Sequence, residues 1–543
     1  MTCYYVKEGN VIFMNRNVLI GGAWPYANST LHLGHLASLL PGDFLARYHR
    51  KMGDNVIYVS GTDCHGTPIT IRAKKENKTP KQISDYYNEE FNRTFDKMNF
   101  SYDLYTQTED EYHKQKVKEI FRKIYDNNFI IEKEEPQPYC PKCNKFLADR
   151  ELVLTCPNCG KQSKGEECDC GYNPTIEDLI KYANCQECGT KVIEKNNKNL
   201  YISLSKLQPK IEEYYNKNSS KWRKNAQNET LKYLKQGLID RAVTRDLEWG
   251  IDIPVDGYDD KKMYVWIDAV LGYTTATMKY CEENGLNFED FWKENDNTLM
   301  YMVHGKDNII FHSIILPGLL TAMNENMKLP DKIVSCEYLN INDEKISKSK
   351  GNGITILDLA DIYNIDSIRY FFLSNGPEKK DSNFGTEEFK NIHNSDLVNK
   401  FGNFINRTLK FKGLEEIKCA KIDEEISSKI EECYKNVSEY IETLEFRKAI
   451  EEIMNLVEYG NKYYDDKKPW ILFKENIEEF NNVIYNCANI IANLANLFEP
   501  VMPDTCAKIK GYLNINQTNW EKIIINENIK LGEIMTIFER ITN

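Results

Sequence analysis

The stretch Gly21–His35 reads GGAWPYANSTLHLGH and decides which fold we predict for the chain. It follows the apolar run Val18–Ile20, which predicts a short buried strand, and it leads into apolar residues at helical spacing over 36–48. His32 and His35 are therefore expected in the first turn of a helix that follows a strand. Free backbone N–H groups and the positive end of the helix dipole make such a turn an anion site. Two imidazoles there suit a nucleotide phosphate whose charge grows during a reaction.

Polar residues follow several other apolar runs. Val56–Val59 predicts a second buried strand, and Asp63 and His65 come soon after it, where Asp63 could pair with a ligand ammonium and His65 could form hydrogen bonds. The runs 264–269 and 300–303 predict two further strands. Five of the eight histidines lie at or just beyond predicted strand ends: His32, His35, His65, His304 and His312. Ligands bind at the carboxyl ends of strands in open α/β sheets, so the pattern predicts an α/β Rossmann-like parallel-sheet domain.

A cysteine cluster interrupts that pattern. Eight of the sixteen cysteines lie between Cys140 and Cys188 in four close pairs, three of them Cys-x-x-Cys, which indicates tetrahedral zinc rather than disulfides. We prefer a nested pairing, and a serial pairing of neighbouring pairs remains open. Four thiolates leave no open coordination position, so one or two structural zinc ions per chain are predicted. The preferred sites are Cys156, Cys159, Cys168 and Cys170 for the first zinc, and Cys140, Cys143, Cys185 and Cys188 for the second.

Composition excludes several classes of protein. The 543 residues are 41% apolar, enough for several packed domains, and no apolar run reaches the length of a membrane span. No secretory leader opens the sequence, so we predict a cytoplasmic protein without a membrane partner. The residues up to Met14 look like a poorly ordered extension or an upstream start. The net charge of −12 argues against DNA as a partner and leaves RNA binding to local basic patches.

A second motif lies far downstream of the histidines. Residues 345–349 read KISKS, and the two segments HLGH and KISKS, in this order, resemble the HIGH and KMSKS signatures of class I aminoacyl-tRNA synthetases. The resemblance implies that His32, His35, Lys345 and Lys348 are catalytic and act on the phosphates of ATP. It implies an ATP site formed by His32, Gly34, His35, Gly305, Lys345, Ser347 and Lys348.

The resemblance narrows in the segments Ala23–Tyr26, Trp266–Ala269, Gly272–Tyr273 and 305–312, which look like those of methionyl-tRNA synthetases. The family implies that Asp63 holds the methionine ammonium, with Arg245 behind it. Val270 departs from the family pattern, in which many members have proline. The methionine site implied by the resemblance comprises Ala23, Trp24, Tyr26, Asp63, Trp266, Ala269, Tyr273, Asp307, Phe311 and His312. Aromatic rings around a thioether gain sulfur contacts of roughly 0.3–1.5 kcal/mol each.

The reaction implied by this family has two steps. The carboxylate of L-methionine attacks the α-phosphorus of ATP, and pyrophosphate leaves with Mg²⁺. The adenylate then passes methionine to the 3′ end of tRNA(Met), for both initiation and elongation of translation. Since a carboxylate is already a nucleophile, positioning and charge stabilisation are expected to provide the rate. The resemblance therefore implies the activity of a methionine–tRNA ligase.

The last third of the chain is predicted to be an all-α helix bundle, because glycines are few and long amphipathic runs such as 441–464 follow one another. Within it, the family resemblance implies that Asn403, Arg407 and Trp470 read the anticodon, by stacking and by polar contacts to unpaired bases. The end of the chain is expected to fold back as a helix. We expect a monomer.

The predicted domain order places one insertion within a catalytic domain. The boundaries are 1–16 for the extension, 17–131 and 244–332 for the two halves of the catalytic domain, 132–243 for the zinc-binding connective insertion, 333–390 for the KISKS loop and stem-contact region, and 391–543 for the anticodon-binding domain.

Other functions fit the sequence less well. Synthetases for leucine, isoleucine or valine generally carry a large editing domain in the insertion, and a cysteine enzyme would want zinc in the active site. A nucleotidyltransferase of similar fold would lack the helical last third. A non-catalytic zinc-containing RNA-binding protein would have no reason to combine His32, His35 and Lys348.

Overall fold

The computed structural model describes residues 5–7, 10–12, 15–147, 151–165, 168, 170–172, 174–341, 344–345 and 354–542. For residues 5–7, 10–12 and 344–345 it describes the backbone alone. Within the predicted N-terminal extension, the backbones of residues 5–7 and 10–12 pair as antiparallel strands.

The first part of the catalytic domain alternates strands and helices, as the sequence predicts. Its elements are β1 Tyr5–Lys7, β2 Asn10–Ile12, β3 Asn17–Gly22, α1 Leu33–Lys51, β4 Asn55–Thr62, α2 Thr67–Glu76, α3 Pro80–Lys97, β5 Leu104–Gln107 and α4 Glu111–Asp126.

The insertion is a long antiparallel ribbon with a small sheet at its far end. Its elements are β6 Ile130–Cys140, β7 Lys145–Phe146, β8 Leu152–Thr155, β9 Gln162–Lys164, α5 Ile176–Tyr182, β10 Ala183–Cys185, β11 Ile193–Ile202, α6 Leu204–Asn218, α7 Lys224–Gln236 and β12 Arg241–Ala242. The ribbon pairs β6 with β11 from Ile130 opposite Ile202 to Tyr139 opposite Ile193. The cysteine pairs lie beyond the ribbon, around the sheet β10-β8-β9.

The second part of the catalytic domain returns the chain to the sheet. Its elements are β13 Thr244–Arg245, β14 Lys262–Met263, α8 Val265–Asn284, α9 Glu289–Trp292, β15 Thr298–Gly305, a 3₁₀ turn Lys306–Asn308, a π-helical turn Phe311–Ile315, α10 Leu316–Ala322 and β16 Lys332–Cys336. The predicted strand over 264–269 is wrong, because these residues begin helix α8. The run is buried on nearly all sides, and such a run does not distinguish a core helix from a core strand.

The central sheet has five parallel strands in the order β16-β15-β3-β4-β5. In β3, Val18 and Ile20 pack into the same core as α1, and Leu19 packs into the core on the opposite face. The sheet therefore has helices on both faces, which confirms the predicted Rossmann-like fold. The chain leaves β3 towards β4 on one side and returns through β15 on the other, so the strand order reverses between β3 and β15. In such sheets the ligand crevice lies outside the carboxyl ends of the strands at this point.

The remainder of the chain is mainly helical, as predicted. Its elements are β17 Leu339–Ile341, β18 Glu344–Lys345, α11 Ile356–Ile362, α12 Ile365–Asn375, β19 Ser382–Phe384, α13 Thr386–Ile392, a π-helical segment His393–Gly402, α14 Asn403–Leu409, β20 Glu416–Ile417, α15 Glu424–Glu442, α16 Phe446–Lys467, α17 Pro469–Glu475, α18 Ile477–Phe498, α19 Pro503–Tyr512 and β21 Ile529–Lys530.

The end of the chain folds back onto the body without forming the predicted helix. Phe538 is buried against the rings of His393 and Phe401. The side-chain amide of Asn394 donates to the carbonyl oxygen of Ile541 and accepts the backbone N–H of the same residue. Side chains of the π-helical segment thus satisfy backbone groups that a helix would have paired internally.

Buried charges join the helix bundle to the catalytic sheet. Arg369 of α12, fully buried, donates to the Asp43 carboxylate of α1 at 2.5 Å and to the carbonyl oxygens of Met98, Asn99, Pro500 and Val501. Burial alone would raise the pKa of Asp43, but the charges of Arg369 and Arg47 outweigh it and lower that pKa to about 2. Among the helices of the described ranges, none has the length and apolar character needed to cross a membrane.

Candidate active site

A cavity of about 980 Å³ opens at the carboxyl ends of β3 and β15, where the strand order reverses. Its wall contains every residue that the sequence analysis placed in the methionine site. It also contains His32, Gly34, His35 and Gly305 from the predicted ATP site, and Arg245. The cavity thus collects side chains from six separate parts of the sequence.

His32 and His35 form the amino-terminal cap of α1. His32 is the N-cap residue, and its Nδ1 accepts the backbone N–H of Gly34 at 3.1 Å, while the Nδ1 of His35 accepts the backbone N–H of His32 at 3.1 Å. Because each Nδ1 acts as an acceptor, the ring proton of each neutral histidine is on Nε2. The helix terminus and these two Nε2–H donors suit a phosphate oxygen.

Described residues that follow the KISKS segment contact the start of the HLGH segment. Thr355 pairs with His32 in an antiparallel bridge, and the backbone N–H of Ile356 donates to the carbonyl oxygen of Leu31 at 3.1 Å. On the other flank, the backbone of Lys345 belongs to β18, which pairs with β17. Ser347 and Lys348 lie outside the described residues. The described residues Thr355 and Ile356, which follow the KISKS segment in the chain, therefore lie next to the start of the HLGH segment.

Aromatic rings line the half of the cavity away from the helix terminus. Trp266 stacks on Phe311 with 3.9 Å between ring centroids, and Tyr26 meets the edge of Trp266 at 6.4 Å. Trp24 and Tyr273 are in edge contact at 6.3 Å. An apolar slot with aromatic walls suits a thioether side chain.

Hydrogen bonds fix His312 in one neutral form. Its Nδ1 donates to the carbonyl oxygen of Asn308 at 2.8 Å, so its Nε2 accepts the hydroxyl proton of Tyr273 at 2.8 Å. Burial lowers the pKa of His312 to about 4 and that of the stacked His304 well below its usual value. This end of the slot is therefore uncharged near neutral pH.

Asp63 also lines the cavity and is 3% exposed. Its backbone N–H donates to the carbonyl oxygen of Pro25 at 2.9 Å, which ties the end of β4 to the segment after β3. Arg245 lies in the cavity wall, where its guanidinium stacks 4.3 Å above the ring of Tyr264. The backbone N–H of His65 donates to Asp63 at 3.3 Å, and the charge of Asp268 raises the pKa of Asp63 while that of His65 lowers it.

Some residues of the cavity wall were missed by the sequence analysis. Lys306 lies 3.8 Å above the ring of Tyr338 and pairs with Glu337 at 2.8 Å and Asp381 at 2.9 Å. The Tyr338 hydroxyl hydrogen-bonds Asp307, one of the predicted methionine-site residues. Lys306 belongs to the segment 305–312 that resembles the family, so its place in the site could have been predicted from the sequence. Glu337 and Tyr338 belong to no recognisable motif, so theirs could not.

The eight cysteines form two groups whose sulfurs lie within 4.8 Å of one another. One group is Cys140, Cys143, Cys185 and Cys188, and the other is Cys156, Cys159, Cys168 and Cys170, the same grouping as in the preferred nested pairing. The closest sulfur pairs are 3.4–3.8 Å apart, and ligands about 2.3 Å from a tetrahedral zinc are separated by roughly 3.8 Å. Gly160 and Gly189 follow two knuckles with φ of 72° and 70°, a conformation that favours glycine. The donor sets therefore fit a metal ion.

The surface predicted to read an anticodon is assembled in the helix bundle. Arg407 of α14 pairs with Asp465 at 2.7 Å and lies 4.3 Å above the ring of Tyr464, and Trp470 lies 6.1 Å beyond that ring. Trp470 is 46% exposed, and Asn403, one turn before Arg407, is also exposed. The three predicted residues come from α14 and α17, and Tyr464 of α16 connects Arg407 to Trp470.

The fold and the cavity are those of a class I synthetase catalytic domain, and the comparisons with known proteins agree. The family model described as tRNA synthetases class I (M) matches residues 18–409, and the anticodon binding domain of methionyl tRNA ligase matches residues 415–540.

Curated relatives are similar over almost the whole chain. A methionine–tRNA ligase 1 of Alkaliphilus oremlandii is 45% identical over 97% of this chain and 97% of its own length. Methionine–tRNA ligases of Bacillus mycoides and Streptococcus pneumoniae are 44% and 45% identical over 97% of this chain, and 97% and 96% of their own lengths. The chain therefore belongs to the methionine–tRNA ligase family, as the resemblance predicted.

Solved structures show the same fold at lower identity. A Mycobacterium tuberculosis methionyl-tRNA synthetase in complex with methionyl-adenylate superposes with a TM-score of 0.82 at 24% identity, over 97% of this chain and 100% of that one.

Proposed function

We propose that this protein activates L-methionine with ATP to methionyl-adenylate and transfers methionine to tRNA(Met). The observation that carries the proposal is a single cavity at the reversal of strand order. There, a phosphate-type helix terminus faces an uncharged aromatic slot with one buried carboxylate. Methionine combines an ammonium, a carboxylate and a neutral thioether, and the cavity offers a complementary group for each.

The reaction needs alignment rather than a base. Asp63 holds the ammonium, the slot around Trp266 and His312 holds the thioether, and the methionine carboxylate then points towards the cap of α1. The Nε2–H groups of His32 and His35 donate to the α-phosphate, whose negative charge grows as the carboxylate attacks. Lys345 and Lys348 of the KISKS loop meet the departing pyrophosphate. A bound Mg²⁺ would neutralise the charge of the phosphates.

The cysteine groups hold structural zinc in this proposal. They lie on the insertion, beyond the β6–β11 ribbon, and do not line the cavity. Four thiolate ligands complete the coordination of zinc, so these sites shape the insertion rather than bind substrate. Asn403, Arg407 and Trp470 contact unpaired bases of the tRNA anticodon. The monomeric state and the cytoplasmic location stay predictions.

Amino-acid-dependent exchange of pyrophosphate into ATP tests the activation step directly. The purified protein is assayed with each of the twenty amino acids in turn, and then with methionine and total tRNA for charging. We expect exchange with methionine at a rate far above that with leucine, isoleucine, valine or cysteine. Equal exchange with one of these four, or exchange with none, would overturn the proposal.

A further inference from the structure

A buried histidine, His65, lies two residues after Asp63, the carboxylate proposed to bind the methionine ammonium. His65 is 1% exposed, its Nδ1 lies 2.8 Å from a carboxylate oxygen of Asp268, and its Nε2 lies 2.9 Å from one of Glu109. A carboxylate can only accept at these distances unless it is protonated, so the arrangement favours a ring with protons on both nitrogens. His65 is therefore an imidazolium held between two carboxylates.

The same histidine is connected to Asp63. The backbone N–H of His65 donates to Oδ1 of Asp63 at 3.3 Å, so the two residues form one tight turn. The Trp249 ring meets the edge of the His65 ring at 5.5 Å, and its indole N–H donates to the carbonyl oxygen of Cys64 at 2.7 Å. The imidazole therefore has little freedom to turn away from Asp268 and Glu109.

The ionisable groups around His65 come from helix α8, from the turn before α4 and from α4 itself. Asp268, in the first turn of α8, is 0% exposed, and one of its carboxylate oxygens has no partner among the described residues. Glu109 precedes α4 and pairs with Lys114 at 2.6 Å, and Lys114 also reaches the exposed Glu111. His113 of α4 is buried nearby, and burial followed by the charge of His65 lowers its pKa to about 3, so it stays neutral. His65 is thus the cation in direct contact with Asp268.

We propose that His65 is a positioning residue for methionine: its positive charge, fixed by Asp268 and Glu109, favours the ionised form of Asp63 that binds the methionine ammonium. This inference rests on the proposed function, since it concerns the same amino-acid site. It differs from a packing role, because it requires the charge of His65 and not only its volume.

The titration behaviour of the cluster agrees with this assignment. Burial by itself lowers the pKa of His65, but Asp268 and Glu109 outweigh it and raise that pKa to about 9. Burial and then the charge of Asp268 raise the pKa of Asp63 well above its usual value, and His65 acts against both. The charge of His65 therefore lowers the pKa of Asp63 relative to the value that burial and Asp268 alone would give.

His65→Asn tests the charge while keeping a donor towards Asp268. We expect the methionine KM in pyrophosphate exchange to rise at least about tenfold at pH 7, with the ATP KM within about twofold, because a shift of one pKa unit is a factor of ten. Since a higher pKa of Asp63 requires a higher pH for ionisation, the acid limb of kcat/KM for methionine should move to higher pH. His49→Asn is the matched control, because His49 is also buried and bound to a carboxylate, Asp54, yet lies outside the cavity.

A methionine analogue without the amino group, 4-(methylsulfanyl)butanoate, separates charge from shape. Wild-type protein should bind methionine more tightly than this analogue. In His65→Asn, the ratio of the dissociation constant of the analogue to that of methionine should fall at least about fivefold, which is less than the tenfold that one pKa unit represents. If His65→Asn does not fold, Glu109→Gln replaces it. Loss of the Glu109 carboxylate lowers the pKa of His65, so the alkaline limb of kcat/KM for methionine should move to lower pH. Deprotonation of the methionine ammonium affects wild-type protein and variant equally, so it does not contribute to this difference.

The outcomes are distinguishable from failure of the proposed function. Wild-type protein without methionine-dependent exchange would remove the proposed function and this inference with it. Wild-type exchange together with an unchanged methionine KM, pH profile and analogue ratio in the variant would overturn the role of His65 alone. A rise in the KM values of methionine and ATP by the same factor would assign His65 to the fold and also overturn it.

Discussion

At the scale of single residues, the shape of the amino-acid slot depends on positions that lack side chains. The indole of Trp24 lies against the Cα atoms of Gly61 and Gly272, and a Cβ at either glycine would come within 2.6 Å of that ring. Gly61 belongs to β4 and Gly272 to α8, so two separate elements leave space for the indole ring of Trp24. Trp24 in turn contacts Tyr273, which hydrogen-bonds His312. The slot is therefore held by rigid neighbours rather than by adaptable side chains.

Gly272→Ala should damage the amino-acid site selectively. The added methyl group meets three atoms of the Trp24 indole at 2.6–2.8 Å, and a rigid ring can relieve this only by moving into the slot. Overpacking of this kind costs about 1–3 kcal/mol, so we expect the methionine KM to rise roughly 5- to 100-fold in the exchange assay, with the ATP KM nearly unchanged.

Gly511→Ala serves as the control, because a Cβ there meets no atom within 4 Å and Gly511 lies in α19, far from the cavity wall. This variant should retain wild-type kinetics. Equal kinetics for Gly272→Ala and wild-type protein would show that Trp24 does not limit the slot.

At the scale of elements, the termini of helices and strands carry most of the chemistry. Helix α1 begins with two histidines that cap each other's backbone, so the residues predicted to bind phosphate also stabilise the helix that presents them. The cysteine groups lie in tight turns at the end of the β6–β11 ribbon, and few other apolar residues pack there. We therefore expect the tip of the insertion to depend on metal bound by these cysteines more than on an apolar core.

Metal analysis and cysteine variants test this dependence. We expect two zinc ions per purified chain, and Cys185→Ser should lower that content by one, since it removes a ligand of one four-cysteine group only. The same variant should also lower the thermal midpoint of unfolding, because a structural zinc contributes to folding free energy. Elemental analysis and a thermal scan measure the two effects.

Cys281→Ser is the matched control, since Cys281 is a buried cysteine outside both groups. It should keep both zinc ions. Less than one zinc per wild-type chain would contradict the structural assignment of both groups.

At the scale of the whole molecule, ion pairs connect the helix bundle, which carries the predicted anticodon surface, to the domain that contains the cavity. Arg369 and Asp43 join α12 to α1, and Lys51 of α1 pairs with Glu499 next to α18. Glu442 at the end of α15 pairs with Lys332 at 3.1 Å, beneath the amino end of β16. Breaking a buried pair of this kind leaves a charge without its partner, so the bundle has a strong energetic reason to keep its position on the sheet.

Trp470→Ala should separate the two activities, exchange and charging. Trp470 is exposed in the bundle and does not line the cavity, so we expect methionine-dependent exchange without tRNA to keep its wild-type rate. The tRNA KM in charging should rise about 5- to 100-fold, because stacking of an unpaired base on an aromatic ring contributes roughly 1–3 kcal/mol.

Tyr86→Ala is a matched loss of an exposed aromatic ring, since Tyr86 is 56% exposed and belongs to α3 of the catalytic domain. It should change neither activity. Parallel loss of exchange and charging in Trp470→Ala would assign Trp470 to folding instead.

Features that depend on local spacing could be predicted from the amino-acid sequence alone. A strand followed by histidines at the start of a helix, knuckles of cysteines, and amphipathic helices are each encoded within about thirty residues, so Gly21–His35, the cysteine pairs and the helix bundle could be predicted. The tertiary structure decided which distant side chains meet. The run at 264–269 became a helix because packing on all sides overrode a pattern that fits either element. The contact of His65 with Asp268 spans 203 positions, and the fit of Trp24 against Gly61 and Gly272 depends on three elements, so no local pattern could encode either one.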